Sequence, residues 1–308
     1  MLAAEEAAGI QALRLIDAQD GVELVAVLTG TPSGTSRGVA VADVAQRLGY
    51  SLLPAERVCD ASYASWLQEE RIDMLINVHA LYIIHRDVIE APIIGSFNLH
   101  PGPLPGYAGL NAPSWAIFNG EERHAVTLHW MAAGVDTGAI AYDAWIDLGP
   151  DATGLSCSLQ CMRQGVPLIQ QLLATALQDR SKIPVQQQAN GERVFYKKGD
   201  VPFGGKIDWG QPATRLDAFI RAADYHPMPS PWGHPEALLN GRSLDVVKVQ
   251  RTGRAVDTAP GMLAMGEAGC VEVATGDEWL IIKRIQQDGR VLSPTDLLEI
   301  GRQFEASG

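Results

Sequence analysis

Asn98 and His100 stand two residues apart in "SFNLHPGPLPGYAGLNAPSWAIFNG", at the end of an apolar run. If that run is a strand, both side chains leave the same face. Pro101, Pro103 and Pro105 then enforce an extended loop, and Gly106 and Gly109 let it turn. Further along, "AAGVDTGAI" holds Asp136 between Gly134 and Gly138 in a tight loop. An amide, an imidazole and a carboxylate converging on a loop-lined cleft suit acyl-type transfer. Histidine moves protons near neutral pH, asparagine donates to a developing oxyanion, and aspartate orients the imidazole or raises its basicity. A carboxylate beside His100 in a partly dry cleft is expected to raise the imidazole pKa by favouring its charged form. Spacing alone is weak, because an Asn-x-His pair arises often by chance. Asp136 by itself also suits an ordinary Asx turn.

The elements that must position this trio are legible from periodicity. "LAAEEAAGIQALRLIDAQDG" is rich in Ala, Leu and Glu, with apolar residues at helical spacing and a Gly stop, so it predicts a helix. "VELVAVLTG" predicts a strand, followed by a Gly/Ser/Thr loop. "VADVAQRLGY" and "ASYASWLQEER" predict helices that alternate with the strands "SLLPAERV" and "IDMLINVHA". That alternation implies a parallel sheet with helices on both faces, with ligands beyond the carboxyl ends of its strands, where Asn98 and His100 lie. "IIGSFNLHP" and "HAVTLHWM" add strands, and Ser156 to Thr175 predicts a helix covering the sheet. The chain opens inside what looks like the first helix, so the usual first, central strand is expected to be missing.

The stretch from Gln186 to Phe203 loses periodicity and is expected to be a linker. After Ser230, "GRSLDVVKVQRTG" and "PGMLAMGEAGCVEVATGDEWLIIKRIQQDGR" predict short strands between turns, closed by a helix at "SPTDLLEIGRQF". The expected fold is an α/β Rossmann-like domain over residues 1–185, a linker and connecting helix over 186–229, and a small β-rich, OB-like subdomain over 230–308.

"FNLHPGPLPGYAG" followed by "GVDTGAI" resembles the signature of the 10-formyltetrahydrofolate-dependent formyltransferases. The likeness runs from about Gly21 to Trp209 and continues through "IDWGQPATRLDAFIRAAD", which is similar to the segment leading into the C-terminal subdomain of the longer members. By this resemblance Asn98, His100 and Asp136 are the catalytic trio. The pterin of 10-formyltetrahydrofolate would lie against Ala80, Leu81, Tyr82, Ile83 and Ile84, and against Gly134 and Val135. Gly102, Tyr107, Asn111 and Trp115 would face the acceptor. An unprotonated amine attacks the formyl carbon, Asn98 and His100 stabilise the oxyanion, and Asp136 keeps His100 correctly charged. Relatives carry "HPSLLP" where this chain has "HPGPLP", a change in a substrate-side loop. The missing first strand makes a degenerate, non-catalytic folate-binding member a further alternative.

Other groups carry blander expectations. His79 and His129 are expected to make local hydrogen bonds at strand ends, with lining of the cleft as the alternative. His226 and His234 lie in a Pro-rich loop without metal-ligand spacing. Cys157 and Cys161, at i and i+4 of a helix, are expected to pack, and no metal is expected. Lys197 and Lys198 are expected to be a solvated patch. Four cysteines in 308 residues do not make a disulfide framework, which together with an acidic N-terminus points to the cytoplasm. The 46% apolar content supplies a core, and no apolar run reaches the ~20 residues of a membrane span. A net charge of −12 argues against a nucleic-acid partner. The loop "TGTPSGTSRGV", with a single Arg, also lacks the basic insertion expected of enzymes that formylate initiator tRNA. The expected acceptor is a small or carrier-bound amine (an amino sugar, amino acid, or siderophore or peptide precursor of secondary metabolism), with formyltetrahydrofolate hydrolysis and methionyl-tRNA formylation as alternatives.

Overall fold

The computed structural model describes residues 1–30, 40–189 and 191–305, so most of the loop "TGTPSGTSRGV", Arg37 included, lies outside the described residues. In chain order the elements begin β1 (Leu2–Ala4), α1 (Glu6–Asp17), β2 (Ala26–Thr29), α2 (Val41–Arg47), β3 (Ser51–Pro54), α3 (Tyr63–Glu69), β4 (Met74–Val78), α4 (Arg86–Glu90) and β5 (Gly95–His100). They continue with β6 (Ala108–Gly109), α5 (Ala112–Asn119), β7 (Arg123–Trp130), β8 (Ile140–Asp147), α6 (Gly154–Asp179), β9 (Phe195–Tyr196) and α7 (Ala213–Ala222). The last are β10 (Glu236–Leu239), β11 (Arg242–Ala255), β12 (Leu263–Met265), β13 (Val271–Ala274), β14 (Glu278–Gln287), β15 (Arg290–Leu292) and α8 (Pro294–Leu297).

The first strand is present, which corrects the expectation of its loss. Leu2, Ala3 and Ala4 are fully buried and form β1, an interior strand of a seven-stranded sheet of order β3-β2-β1-β4-β5-β7-β8. They pair in parallel with β2 on one side and β4 on the other. Ala and Leu favour helix in isolation, but burial between two strands outweighs the few tenths of a kcal/mol per residue that propensity supplies. The strand breaks at Glu6, whose φ of 59° is left-handed, and α1 starts there. Gly9 then lets α1 lie close to β1, since a Cβ there would meet Ala4 Cβ at 2.9 Å. The degenerate reading loses its structural ground.

The sheet is mixed and not purely parallel, because β7 runs antiparallel to β5 with Asn98 opposite His129 and His100 opposite Thr127. The β-branched and leucine-rich strands bury one face against α3 and α4 through Leu28, Leu67, Leu75 and Val88. Gly165 of α6 lies against Leu99 and Val126, as expected of a covering helix.

The chain divides into two compact units, at other places than the three expected segments. The first comprises Met1–Gly109, Arg123–Ile146 and Leu159–Phe195, and the second Leu110–Glu122, Asp147–Ser158 and Tyr196–Gly308. The expected connecting helix, α7, is thus part of the second unit's core, with Leu216 and Ile220 packed among Leu244, Val246, Val273 and Leu280. That unit carries a six-stranded antiparallel sheet of order β10-β11-β14-β13-β12 with β15 on β14. The expected closing helix is only the four residues of α8. Gly301 and Arg302 instead hydrogen-bond Leu263 beside one edge strand, and Glu305 N donates to Leu238 O on the other. The C-terminal segment therefore covers both sheet edges, the half-barrel solution to unpaired strand edges. Among the described residues no helix is long and apolar enough to cross a membrane.

Candidate active site

Three neighbouring strands of the first unit bring a row of polar side chains into register. Asn77 on β4 is the partner of Asn98 on β5, and Asn98 is the partner of His129 on β7. Asn77 Nδ2 donates to Asn98 Oδ1 at 2.8 Å. Asn98 Nδ2 lies 3.1 Å from His129 Nε2 and donates to Asp136 Oδ1 at 3.3 Å. His129 Nδ1 is 2.7 Å from Trp130 O, which fixes its ring. His100, two residues beyond Asn98, points Nδ1 at Asp136 Oδ2 across 3.5 Å and holds Tyr107 O with Nε2 at 2.6 Å. The three residues that the resemblance implied are thus brought together at the carboxyl end of β5.

The loop after β7 delivers Asp136. Its φ of 52° is left-handed, and its Oδ2 accepts from Gly109 N at 2.8 Å. Gly138 lets the loop return against β7, because a Cβ there would lie 1.7 Å from Trp130 O. Two residues from the expected linker brace it. Gln188 Nε2 donates to Asp136 O and Gly138 O at 2.8 Å each, and Arg193 Nη2 donates to Val135 O at 2.8 Å. Lys197 and Lys198 are exposed, as expected of a solvated patch.

The electrostatics corrects one expectation. Burial pushes His100 below the ordinary histidine range, and nearby Asp136 and the Tyr107 carbonyl offset this only in part. The imidazole is therefore neutral at pH 7, held as the Nε2–H form by Tyr107 O. Burial by itself would push Asp136 up. His100, His129 and the Gly109 N–H together outweigh it and hold the carboxyl well below the usual range. A buried carboxylate thus faces a buried, neutral imidazole with a free Nδ1.

The expected folate residues divide by exposure. Ala80 and Ile84 are buried in the apolar cluster that also includes Met131 beyond β7. Between them Leu81 and Ile83 are each 74% exposed, and Val135 is 41% exposed beside Asp136. Of the expected acceptor residues, Gly102 and Tyr107 act here through their backbones, Gly102 O accepting from Thr127 Oγ1 at 2.8 Å. Asn111 and Trp115 belong to the second unit. There Trp115 stacks on Tyr196, with centroids 4.4 Å apart, and meets Trp232 edge-on.

Asn77 is the site residue that sequence reasoning missed; His129, for which local bonding was expected ahead of a place in the cleft, both bonds Trp130 O and joins the row. His79 does make the local contact expected, Nδ1 to Glu6 Oε2 at 3.1 Å. His124 is buried on Pro101 O, and Cys157 and Cys161 are buried in α6.

The formyl transferase family profile matches residues 5–165, and the profile of the formyl transferase C-terminal domain matches residues 203–300. A methionyl-tRNA formyltransferase of Roseiflexus castenholzii is 30% identical over 286 residues, covering 90% of this chain and 88% of the relative. Among solved structures, an N-formyltransferase from Helicobacter canadensis in complex with folinic acid and dTDP-3-aminofucose superposes with a TM-score of 0.69 at 18% identity, over 91% of this chain and 97% of that one. WlaRD, a sugar 3N-formyl transferase with dTDP and 5-N-formyl-THF, gives 0.68 at 16% identity over 91% and 96%. With both profiles matched in order, and with the trio of Asn98, His100 and Asp136 assembled at the end of β5, the chain belongs to the formyl transferase family.

Proposed function

We propose that this formyltransferase moves the formyl group of 10-formyltetrahydrofolate to the primary amine of a small or carrier-bound metabolite. The observation that carries the reaction is the ionised Asp136 set against a neutral His100, with the Asn98 amide beside both. The exposed Leu81 and Ile83, two residues apart after β4, suit a flat aromatic ligand such as a pterin, since neighbouring solvent-facing apolar side chains mark a binding surface. The folate derivatives named with the solved neighbours support the same cosubstrate. Bound, it supplies a formyl carbon activated by its nitrogen.

The chain's residues then act in order. Asn98 Nδ2–H, exchanging its 3.1 Å contact with His129 Nε2 for the formyl oxygen, polarises that oxygen and stabilises the negative charge that develops there as the amine nitrogen bonds to carbon. His100 Nδ1 takes the proton the amine must lose. Asp136 stabilises the imidazolium so formed, in a site dry enough for the ion pair to count. His100 then returns the proton to the departing folate nitrogen as the carbon–oxygen double bond reforms and the old carbon–nitrogen bond breaks. Atoms and charge balance without further reactants.

The acceptor class rests on charge. Over Ser230–Gly308 acidic side chains outnumber basic ones, and several cations are held by acids: Arg251 by Glu278, Arg254 by Glu272 and Arg302 by Glu299. Cations occupied in this way are poorly placed to release counterions from a phosphate backbone. A second reading, formylation of initiator methionyl-tRNA, is favoured by the function of the Roseiflexus relative. Release of tetrahydrofolate from 10-formyltetrahydrofolate decides between them, measured with nucleotide-linked amino sugars, free amino acids, charged initiator tRNA and no acceptor. Release that requires a small amine is the expected result. Dependence on the tRNA, with binding much tighter than the ~0.1 mM typical of generic contact, would establish the second reading. Equal release without any amine would mean hydrolysis.

A further inference from the structure

Asn77 is the one polar residue of β4, whose other members Met74, Leu75, Ile76 and Val78 are apolar and buried. Its register partners are Ala3 on β1 and Asn98 on β5, so Asn98 alone can use its amide. Asn77 Nδ2 gives a 2.8 Å hydrogen bond to Asn98 Oδ1, while its own buried Oδ1 finds no partner among the described residues. An unsatisfied buried acceptor lowers stability, and a valine of similar size would avoid it. A residue that breaks a packing rule beside the trio points to a demand made by the site.

That demand lies in Asn98. A carboxamide can sit either way round at almost no steric cost, exchanging two donors for an acceptor. The carboxylate of Asp136 only accepts, so the group 3.3 Å from its Oδ1 has to be the NH2 of Asn98. Turned over, Asn98 would set its oxygen against that carboxylate and its NH2 against the NH2 of Asn77. We propose that Asn77 is a positioning residue that locks the Asn98 carboxamide with Nδ2 toward Asp136 and the formyl oxygen. This rests on the reading of Asn98 as the oxyanion donor given above.

The test uses the full chain labelled with 15N-asparagine, the Asn98 side-chain amide being assigned by its loss in Asn98→Ala. In the wild type its two protons should exchange slowly with water. In Asn77→Val the Asn98 signal should move and exchange faster, with the melting temperature unchanged or higher. Tetrahydrofolate release with hydroxylamine as the amine should fall 10- to 100-fold in kcat at unchanged folate KM. Asn77→Asp, which can only accept, should be at least as slow. An Asn98 signal that does not move in Asn77→Val overturns the inference, as does a full rate in Asn77→Val while Asn98→Ala is slow. A full rate in Asn98→Ala instead defeats the reading of the site, and the amide signal still decides whether Asn77 orients Asn98.

Discussion

Asp136 Oδ2 stands 3.5 Å from His100 Nδ1, both side chains are buried, and the proton-bearing nitrogen of the imidazole faces the other way, onto Tyr107 O. The pair is therefore prepared for a proton that arrives during the reaction and is not an ion pair at rest. Because the carboxylate is already held by Gly109 N–H and Asn98 Nδ2, forming the imidazolium needs no rearrangement of its partner.

Removing the charge while keeping the shape tests this directly. Asp136→Asn retains an acceptor for Gly109 N, and asparagine tolerates the left-handed φ of 52° at this position. Turnover should fall by about 10²-fold or more, a loss of ~3 kcal/mol of transition-state stabilisation. Folate affinity and the circular dichroism spectrum should be unchanged. A variant within threefold of the wild-type rate would reduce Asp136 to a turn residue.

The pH profile follows from the neutral state of His100. Its folded pKa is lowered, so the acidic limb of kcat/KM should lie below the ordinary ~6.5 of histidine, and Asp136 stays ionised throughout. In Asp136→Asn the contribution that raises the His100 pKa is gone, and the limb should move lower still. Stability changes in the same window. Between ~6.5 and the lowered folded value the unfolded chain binds more protons, so the stability due to a neutral His100 is complete above ~6.5 and is lost as pH falls. Thermal melts from pH 7.5 to 4.5 (~3 units around the histidine range) should show a shallower decline in His100→Asn. A limb above the ordinary histidine range would mean that Asp136 outweighs burial.

The folate surface yields a third expectation. Leu81 and Ile83 are each 74% exposed, so replacing both by serine removes little buried core and should leave the melting temperature unchanged. If a pterin covers them, about 1–2 kcal/mol of apolar contact goes with each, and the folate KM should rise by roughly tenfold or more at similar kcat. An unchanged KM would move the pterin elsewhere.

The parts of this site that sequence made visible are those set by local rules. Asn98 and His100 share a face because a strand alternates with period two, and Asp136 stands out between its glycines. Asn77 escaped notice, and His129 was left between a local bond and the cleft, because nothing in "HAVTLHWM" or "IDMLINVHA" states which strands become neighbours or in what register. The error over β1 has the opposite cause. Local propensity in "LAAEEAAGIQALRLI" is helical throughout, and only burial between β2 and β4 makes Leu2–Ala4 extended. Gln188 lay in an aperiodic stretch, where periodicity gives no sign of a long-range contact.

Gln188 supports the last prediction. Its amide bridges Asp136 O and Gly138 O, closing the two sides of the loop whose tip carries the carboxylate. Gln188→Ala removes both donors without touching the trio, so any loss of rate must come from the placement of Asp136. A shift of about 1 Å at a reacting group can cost up to ~10²-fold, and a fall of at least tenfold in tetrahydrofolate release is expected. Gln188→Glu should be worse, because it replaces a donor to two carbonyls with an acceptor and adds negative charge close to Asp136. Arg193→Ala should cost less, since Arg193 is exposed and its hydrogen bond goes to Val135 O and not to the Asp136 backbone. Equal rates for Gln188→Ala and the wild type would show that the close packing of Gly138 on Trp130 is enough to hold the loop.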